Sequence, residues 1–389
     1  MTAGVIAMNS GAAVIAADSA VSIRLRRGAK HYQGASKIIC LHRDDPVGVF
    51  WYGSAEYMGV PWEVLLKEFR AQSTVSFTQL EEYADALWSF VDAELPNWNV
   101  DADGDPGVNN AITALLDQVE TAIEYLPADG REAAVQRVIE KWKESRRPVA
   151  RVLADDEVSS RDNLWNWFNN RLDNLESEWG TLNGDAREQL RGAALEAWTR
   201  ISARDPDHSG VVIVGYGTSN RMPSMCHFLI APPASGLARR VGAKPVCIDA
   251  NRPAVIVPFA QNDLVRLFME GIHPNINHRF TGILERLQVD YGIPGEVIEL
   301  LSDRIASEID RHGRPVIEAV RFLPKADLAE FARSLVRFTA FRLKMSLAEE
   351  SVAEPIDVAV ISRSDGLVWV HRTHYFGIEN NPHFAQRYR

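Results

Sequence analysis

Four residues early in the chain carry groups suited to acyl transfer: Thr2, Asp18, Lys37 and Gly53. Cutting the Met1–Thr2 bond makes Thr2 a complete unit, because one residue then holds a hydroxyl nucleophile and an α-amine to take its proton. The amine suits that task, with a reference pKa of about 8. The threonine β-methyl restricts the hydroxyl's rotamers and so lowers the entropy of aiming it. Asp18 and Lys37 supply an opposite-charge pair, and a Lys held by a carboxylate beside the N-terminus lowers the proton affinity of amine and hydroxyl alike. Gly53, followed by Ser54 at a strand-to-helix junction, offers a backbone N–H to an oxyanion. Each residue also has a plain structural reading: a common Met-Thr start, a strand-end ion pair, a tight turn. Their joint occurrence, in order and at strand ends, favours the chemical reading.

The opening "MTAGVIAMNSGAAVIAADSA" must position these groups, and no Lys or Arg occurs before Arg24. It lacks the basic n-region of a secretory signal, and Asn9-Ser10-Gly11 cuts its apolar run into halves too short to span a bilayer. We expect two strands instead, Val5 to Met8 and Ala12 to Ala17, joined by a turn in which Asn and Gly supply positive φ. That hairpin returns Asp18 to the side of Thr2. The basic stretch "VSIRLRRGAKHYQGAS" reads as an irregular loop, and "KIICL" and "VGVFWYGS" as a second strand pair opened by Lys37. Pro61 suits a first helical position, and Thr78 with Glu81 forms a capping box before Leu80, Tyr83, Ala84, Leu87 and Val91 on one helix face. Four helical segments fill the next hundred residues. Strands resume at "GVVIVGYG", "SMCHFLIAP" and "PAVIVPF". Helices follow at "QNDLVRLFMEGI", "GEVIELLSDRIASEI" and "KADLAEFARSLVRFTAFRLKMSLAEES", and "PIDVAVISRSDGLVWVHR" closes the pattern as a hairpin. Helices grouped between strand sets predict an α+β domain.

Composition narrows the field. The 389 residues are 46% hydrophobic and 24% charged, as in a folded globular chain. Cys40, Cys226 and Cys247 form no disulfide framework or metal spacing, and His371-x-x-His374 reads as strand-end surface, so no metal is expected and a reducing, cytoplasmic setting is. The net charge of −10 is concentrated: from Pro96 to Asp207 there are 22 acidic and 13 basic residues, a net −9, together with six of the ten Trp. This divides the chain into a core, 1–95 and 208–389, and an acidic helical insertion, 96–207, whose Trp165, Trp167 and Trp179 read as its own packing. No basic surface for nucleic acid is evident, and neither nucleotide-binding glycine motif occurs.

"TAGVIAMNSGAAVIAADSA", "GASKIICL" and "VFWYGSAE" resemble the N-terminal half of proteasome β-subunits and their bacterial HslV-type relatives, which are N-terminal nucleophile hydrolases. The similar parts cover roughly 1–95, 209–270 and 325–375. The resemblance implies a four-layer αββα sandwich of two antiparallel sheets and a threonine peptidase needing no cofactor. Thr2 would be the nucleophile, Asp18 and Lys37 its charged partners, and Gly53 the oxyanion donor. It further implies a homo-oligomer, ring-like or stacked, acting on peptide or protein, with an ATPase or other regulatory partner and no nucleic acid or membrane. The family's supporting Ser is replaced in "AQNDLV", where Gln261 is the substitute, and its later acid and Ser fall at Glu349 or Glu350 with Ser351. The region 96–207 has no counterpart there. Two other functions suit the same residues: a non-proteolytic amidohydrolase or acylase, and an inactive ring or scaffold protein.

Overall fold

The computed structural model describes residues 2–94, 106–149, 161–345, 354–377 and 381, apart from short breaks at 26–27, 33–34, 125, 127, 180–181, 183, 206, 235–236 and 375. It is a mixed α+β chain built on antiparallel sheets. The first sheet has the order β15 (Ala254–Ala260), β1 (Ala3–Asn9), β2 (Ala13–Asp18), β16 (Ile356–Ser362), β17 (Gly366–His371). The second runs β13 (Leu237–Gly242), β12 (Ser224–Ala234), β11 (Ser209–Gly215), β6 (Val47–Gly53), β5 (Ile38–Cys40), with β14 (Val246–Cys247) paired to β12. Three short ribbons complete the strands: β3 (Val21–Leu25) with β4 (Gly28–Tyr32), β7 (Glu56–Tyr57) with β8 (Val60–Pro61), and β9 (Arg147–Pro148) with β10 (Arg200–Ile201).

Strand alternation decides what each face buries. Ile6, Met8, Ile15 and Ala17 of the first sheet meet Phe50, Tyr52, Val212 and Val214 of the second in one apolar cluster. Val5, Ala7, Val14 and Ala16 point the other way, onto Leu328, Ala332 and Val336 of α10 (Lys325–Lys344). The opposite face of the second sheet, Val49, Trp51 and Val211, packs against Trp62 and Leu65 of α1 (Trp62–Gln72) and Tyr83 and Leu87 of α2 (Leu80–Glu94). A separate cluster joins α3 (Pro106–Ile123), α4 (Ala128–Glu144), α5 (Arg161–Trp179) and α6 (Gly184–Thr199). Among the described side chains of α5, Phe168 and Leu172 are buried, with Trp167 packed beside them; the side chains of Trp165 and Trp179 lie outside the described residues.

Several local expectations change. The first hairpin forms, but Asn9 and Gly11 are not among the described residues with positive φ. Asn9 closes the turn with its side chain, its Oδ1 accepting from Gly11 N at 2.9 Å and Ala12 N at 3.2 Å, an Asx-type turn that needs no left-handed residue. The basic stretch after Ala20 is a ribbon, because Val21, Ile23 and Leu25 alternate with Ser22 and Arg24. Helix α2 is capped one residue later than expected: Glu82, not Glu81, accepts from Gln79 N and Thr78 Oγ1, both at 2.8 Å. Pro61 precedes α1 rather than opening it. Helix α7 (Asp263–Glu270) is followed by α8 (Pro274–Tyr291), which the sequence reading passed over despite Pro274 at its start and left-handed Gly292 at its end. Helix α9 (Gly295–Arg321) runs on through Pro315 instead of stopping near Ile309.

Candidate active site

Thr2, Asp18 and Lys37 come together at one end of the first sheet. Lys37 Nζ lies 3.0 Å from Thr2 Oγ1 and 3.0 Å from Asp18 Oδ1. All three are enclosed, Thr2 at 4%, Asp18 at 1% and Lys37 at 1% exposure, so the charges interact without solvent screening. The hairpin register explains the meeting. Gly4 pairs with Ala17, and at the next position Ala3 N donates to Asp18 Oδ1 at 2.9 Å, the side chain standing where a ladder carbonyl would be. Ala20 N donates to the other oxygen at 3.1 Å. On the opposite flank Ala3 pairs with Ala260, which holds a φ of +61°, and Gln261 N donates to the Thr2 carbonyl at 3.1 Å. Gln261 therefore adjoins Thr2 through its backbone.

Lys37 reaches the site from the mouth of β5. Its carbonyl accepts from Trp51 N at 3.1 Å, which fixes the backbone against β6. Gly53 lies two residues along that strand. Because Ser54 N turns to His208 O and Trp51 N turns to Lys37, alternation aims the Gly53 N–H at the Lys37 edge. Gly53 has a φ of +86°, and a Cβ there would stand 2.4 Å from the His208 carbonyl. Only glycine fits this position.

Burial dominates the electrostatics. It pushes the Lys37 pKa down, while the charge and hydrogen bond of Asp18 and the more distant charge of Asp357 pull it back. Burial likewise pushes Asp18 up, against Lys37 and the amides of Ala3 and Ala20. Asp357 is the acid that sequence reading missed. It is 3% exposed, pairs with Ala17 in the ladder, and accepts from Thr373 N at 2.7 Å. The expected later acid and Ser, Glu349 or Glu350 with Ser351, lie outside the described residues.

Next to Gly53, the Tyr52 hydroxyl and His227 Nε2 share a 2.8 Å hydrogen bond, with Phe259 against both rings. Burial, aided by the charge of Arg147, lowers the His227 pKa to about 4. The unfolded chain protonates this His near pH 6.5, so stability is expected to fall as pH drops from there towards 4. His227→Gln, which keeps a hydrogen-bonding group without a titration, should flatten that limb in urea melts taken across the window; an unchanged limb would exclude His227 as its source.

Comparison with known proteins adds little. No family model matches the chain, and no curated protein matches it. Solved structures aligned over 100% of this chain include Anbu from Hyphomicrobium sp. strain MC1, at 8% identity, TM-score 0.31 and 95% of that chain. A mutant of the same protein aligns at 9% identity, TM-score 0.28 and 96% coverage. Anbu, an ancestral beta-subunit, from Yersinia bercovieri aligns at 10% identity, TM-score 0.27 and 94% coverage. These findings correct the resemblance to proteasome β-subunits and HslV-type relatives. The solved structures found are Anbu proteins, at similarities too low to place the chain in a family.

Proposed function

We propose that this protein is an N-terminal threonine hydrolase that cleaves amide bonds after the Met1–Thr2 bond is cut, with peptides as substrates. The observation that carries the proposal is the enclosed trio in which one lysine nitrogen lies 3.0 Å from both the Thr2 hydroxyl and a carboxylate. A buried pair of charges is costly to keep, so placing it on an otherwise ordinary hydroxyl favours catalysis over scaffolding. In this reading the sheets and their flanking helices form an αββα sandwich, and 96–207 is a module inserted into it. The assembly is an oligomer. The three free cysteines fit a cytoplasmic protein, and among the described residues no helix is long and apolar enough to cross a membrane.

The chemistry runs in two steps. The Thr2 hydroxyl attacks the carbonyl carbon and its proton passes to the freed α-amine, while Lys37 Nζ, paired with Asp18 and 3.0 Å from Thr2 Oγ1, lowers the proton affinity of that hydroxyl. The Gly53 N–H receives the oxyanion, the protonated α-amine passes its proton to the leaving amine, and an ester on Thr2 remains. Water activated by the freed α-amine hydrolyses that ester. Intact mass before and after an epoxyketone or β-lactone tests the reading. Loss of Met1 with one adduct, absent in Thr2→Ala, is expected; Met1 removed and no adduct would overturn it.

A further inference from the structure

We propose that Arg146 and Asp205, a buried ion pair supplied by the helical segment 96–207, are positioning residues that brace the Gly53 turn for the Thr2 reaction. The inference rests on the proposed function, and it gives that segment a part in the chemistry. The line of contact runs from Arg146 to Asp205, from Asp205 to His208, and from His208 to the Gly53–Ser54 turn.

The pair is built as a fork. Arg146 Nη2 donates to Asp205 Oδ1 at 2.5 Å and Nη1 to Oδ2 at 3.3 Å, and both residues are buried. The guanidinium lies 3.6 Å over the Trp142 ring, and its Nη1 also donates to Arg200 O at 3.0 Å. Parallel charge-assisted bonds of this kind fix direction as well as distance. Fastening the segment to the core does not call for them, because other contacts already do that. Arg239 of β13 donates to Ala197 O and, at 3.3 Å, to Arg200 O. Helix α3 lies so close to β12 that a Cβ on Gly107 would stand 2.7 Å from the Pro232 ring. Asn110 of the same helix donates to Asp207 at 2.5 Å.

What the fork adds is control of the loop that leads back into the second sheet. Asp205 holds that loop with its carboxylate and its carbonyl. Its Oδ2 accepts from Ser202 N at 3.0 Å, and its carbonyl accepts from His208 Nδ1 at 2.6 Å, which fixes the proton on Nδ1 because a carbonyl can only accept. His208 then meets the site: its own carbonyl accepts from Ser54 N at 2.9 Å and leaves no room for a Cβ on Gly53, which would stand 2.4 Å away. The next residue, Ser209, pairs with Gly53, accepts from Trp62 Nε1 at 3.0 Å and donates to Ser54 O at 3.3 Å. Ser54 is thus held by its N–H and its carbonyl, and the turn that presents the Gly53 N–H moves only if His208 moves. Misplacing such a donor by about 1 Å costs on the order of a hundredfold in rate.

Two electrophiles separate positioning from mere stability. A β-lactone acylates the Thr2 hydroxyl through a tetrahedral oxyanion, whereas a peptide vinyl sulfone takes the same oxygen at an alkene carbon and forms no carbonyl oxyanion. His208→Ala removes the Nδ1–H without stranding a charge. It should slow β-lactone acylation at least about tenfold and leave vinyl sulfone addition within about twofold of the parent. Arg146→Lys keeps the charge beside Asp205 but loses the fork, and should shift the ratio of the two rates in the same direction. His208→Asn keeps an N–H donor near the Nδ1 position and should restore the β-lactone rate; failure to restore it overturns the link through the ring. Equal slowing with both electrophiles, or no slowing with either, overturns the positioning role. Hydrogen exchange at the Ser54 amide reads the brace without any chemistry, and should quicken at least about tenfold in His208→Ala and in Arg146→Lys. Unchanged exchange overturns the brace. A parent chain labelled by neither electrophile counts against the Thr2 reading, and faster Ser54 exchange in the variants would then leave the brace standing.

Discussion

Thr2→Ala loses at least about three orders of magnitude of amide hydrolysis, because nothing else in the enclosed trio can form the ester. The nearest nucleophilic atom to the reacting position would be Lys37 Nζ, 3.0 Å from the deleted hydroxyl and committed to Asp18. Thr2→Ser keeps the oxygen and should retain measurable turnover, slower because the missing β-methyl frees the rotamer. The alanine variant still folds, losing about 1–3 kcal/mol for the acceptor withdrawn from a charged donor. A fluorogenic peptide panel and a urea melt on the same preparations make the comparison. Substantial hydrolysis by Thr2→Ala would end the nucleophile assignment.

Removing Lys37 has the other large effect, and it strikes stability and chemistry together. Lys37→Ala strands the Asp18 carboxylate at 1% exposure with only two backbone donors left. Breaking a buried pair in this way costs about 3–5 kcal/mol. The same variant loses the cation that lowers the proton affinity of the Thr2 hydroxyl, costing about tenfold in rate for each unit by which that hydroxyl's pKa rises. A double variant separates the two. Asp18→Asn with Lys37→Met replaces the ion pair by groups of similar size and should recover most of the stability but none of the electrophile labelling rate. If labelling returned with stability, Lys37 would be a structural residue with no part in activating the Thr2 hydroxyl.

The site was more legible in the sequence than the frame around it. Thr2 and Asp18 could be joined from local pattern alone, since a short hairpin turn fixes which residues of two strands stand opposite each other. Lys37 and Gly53 followed from one further strand pair. Asp357 escaped because "PIDVAV" reads as an ordinary strand start, and its position beside Ala17 depends on a pairing across some 340 residues of chain. The ribbon β3–β4 hid behind its arginines, whose charge masked an alternation of Val21, Ile23 and Leu25. Helix α8 escaped for a different reason. Its apolar Ile276, Phe280, Ile283 and Tyr291 are exposed, so among its described side chains there is no buried stripe. Family likeness misled at the level of membership, since short strand-and-turn strings recur wherever a β-hairpin begins a chain.

Strand β1 is flanked by β2, a near neighbour in sequence, and by β15, about 250 residues later, while β2 takes β16 as its other neighbour. Asn9, at the far end of β1, also donates to Val320 O at 3.0 Å and Leu323 O at 2.9 Å. The segment that holds Thr2 therefore completes its sheet only with strands some 250 to 340 residues away in sequence. Thr2 gains its full surroundings only once residues 254–260 and 356–362 have joined the sheet, and such distant pairings form late. Built this way, a copy that stops short of residue 356 keeps Thr2, Asp18 and Lys37 but not the complete sheet that encloses them.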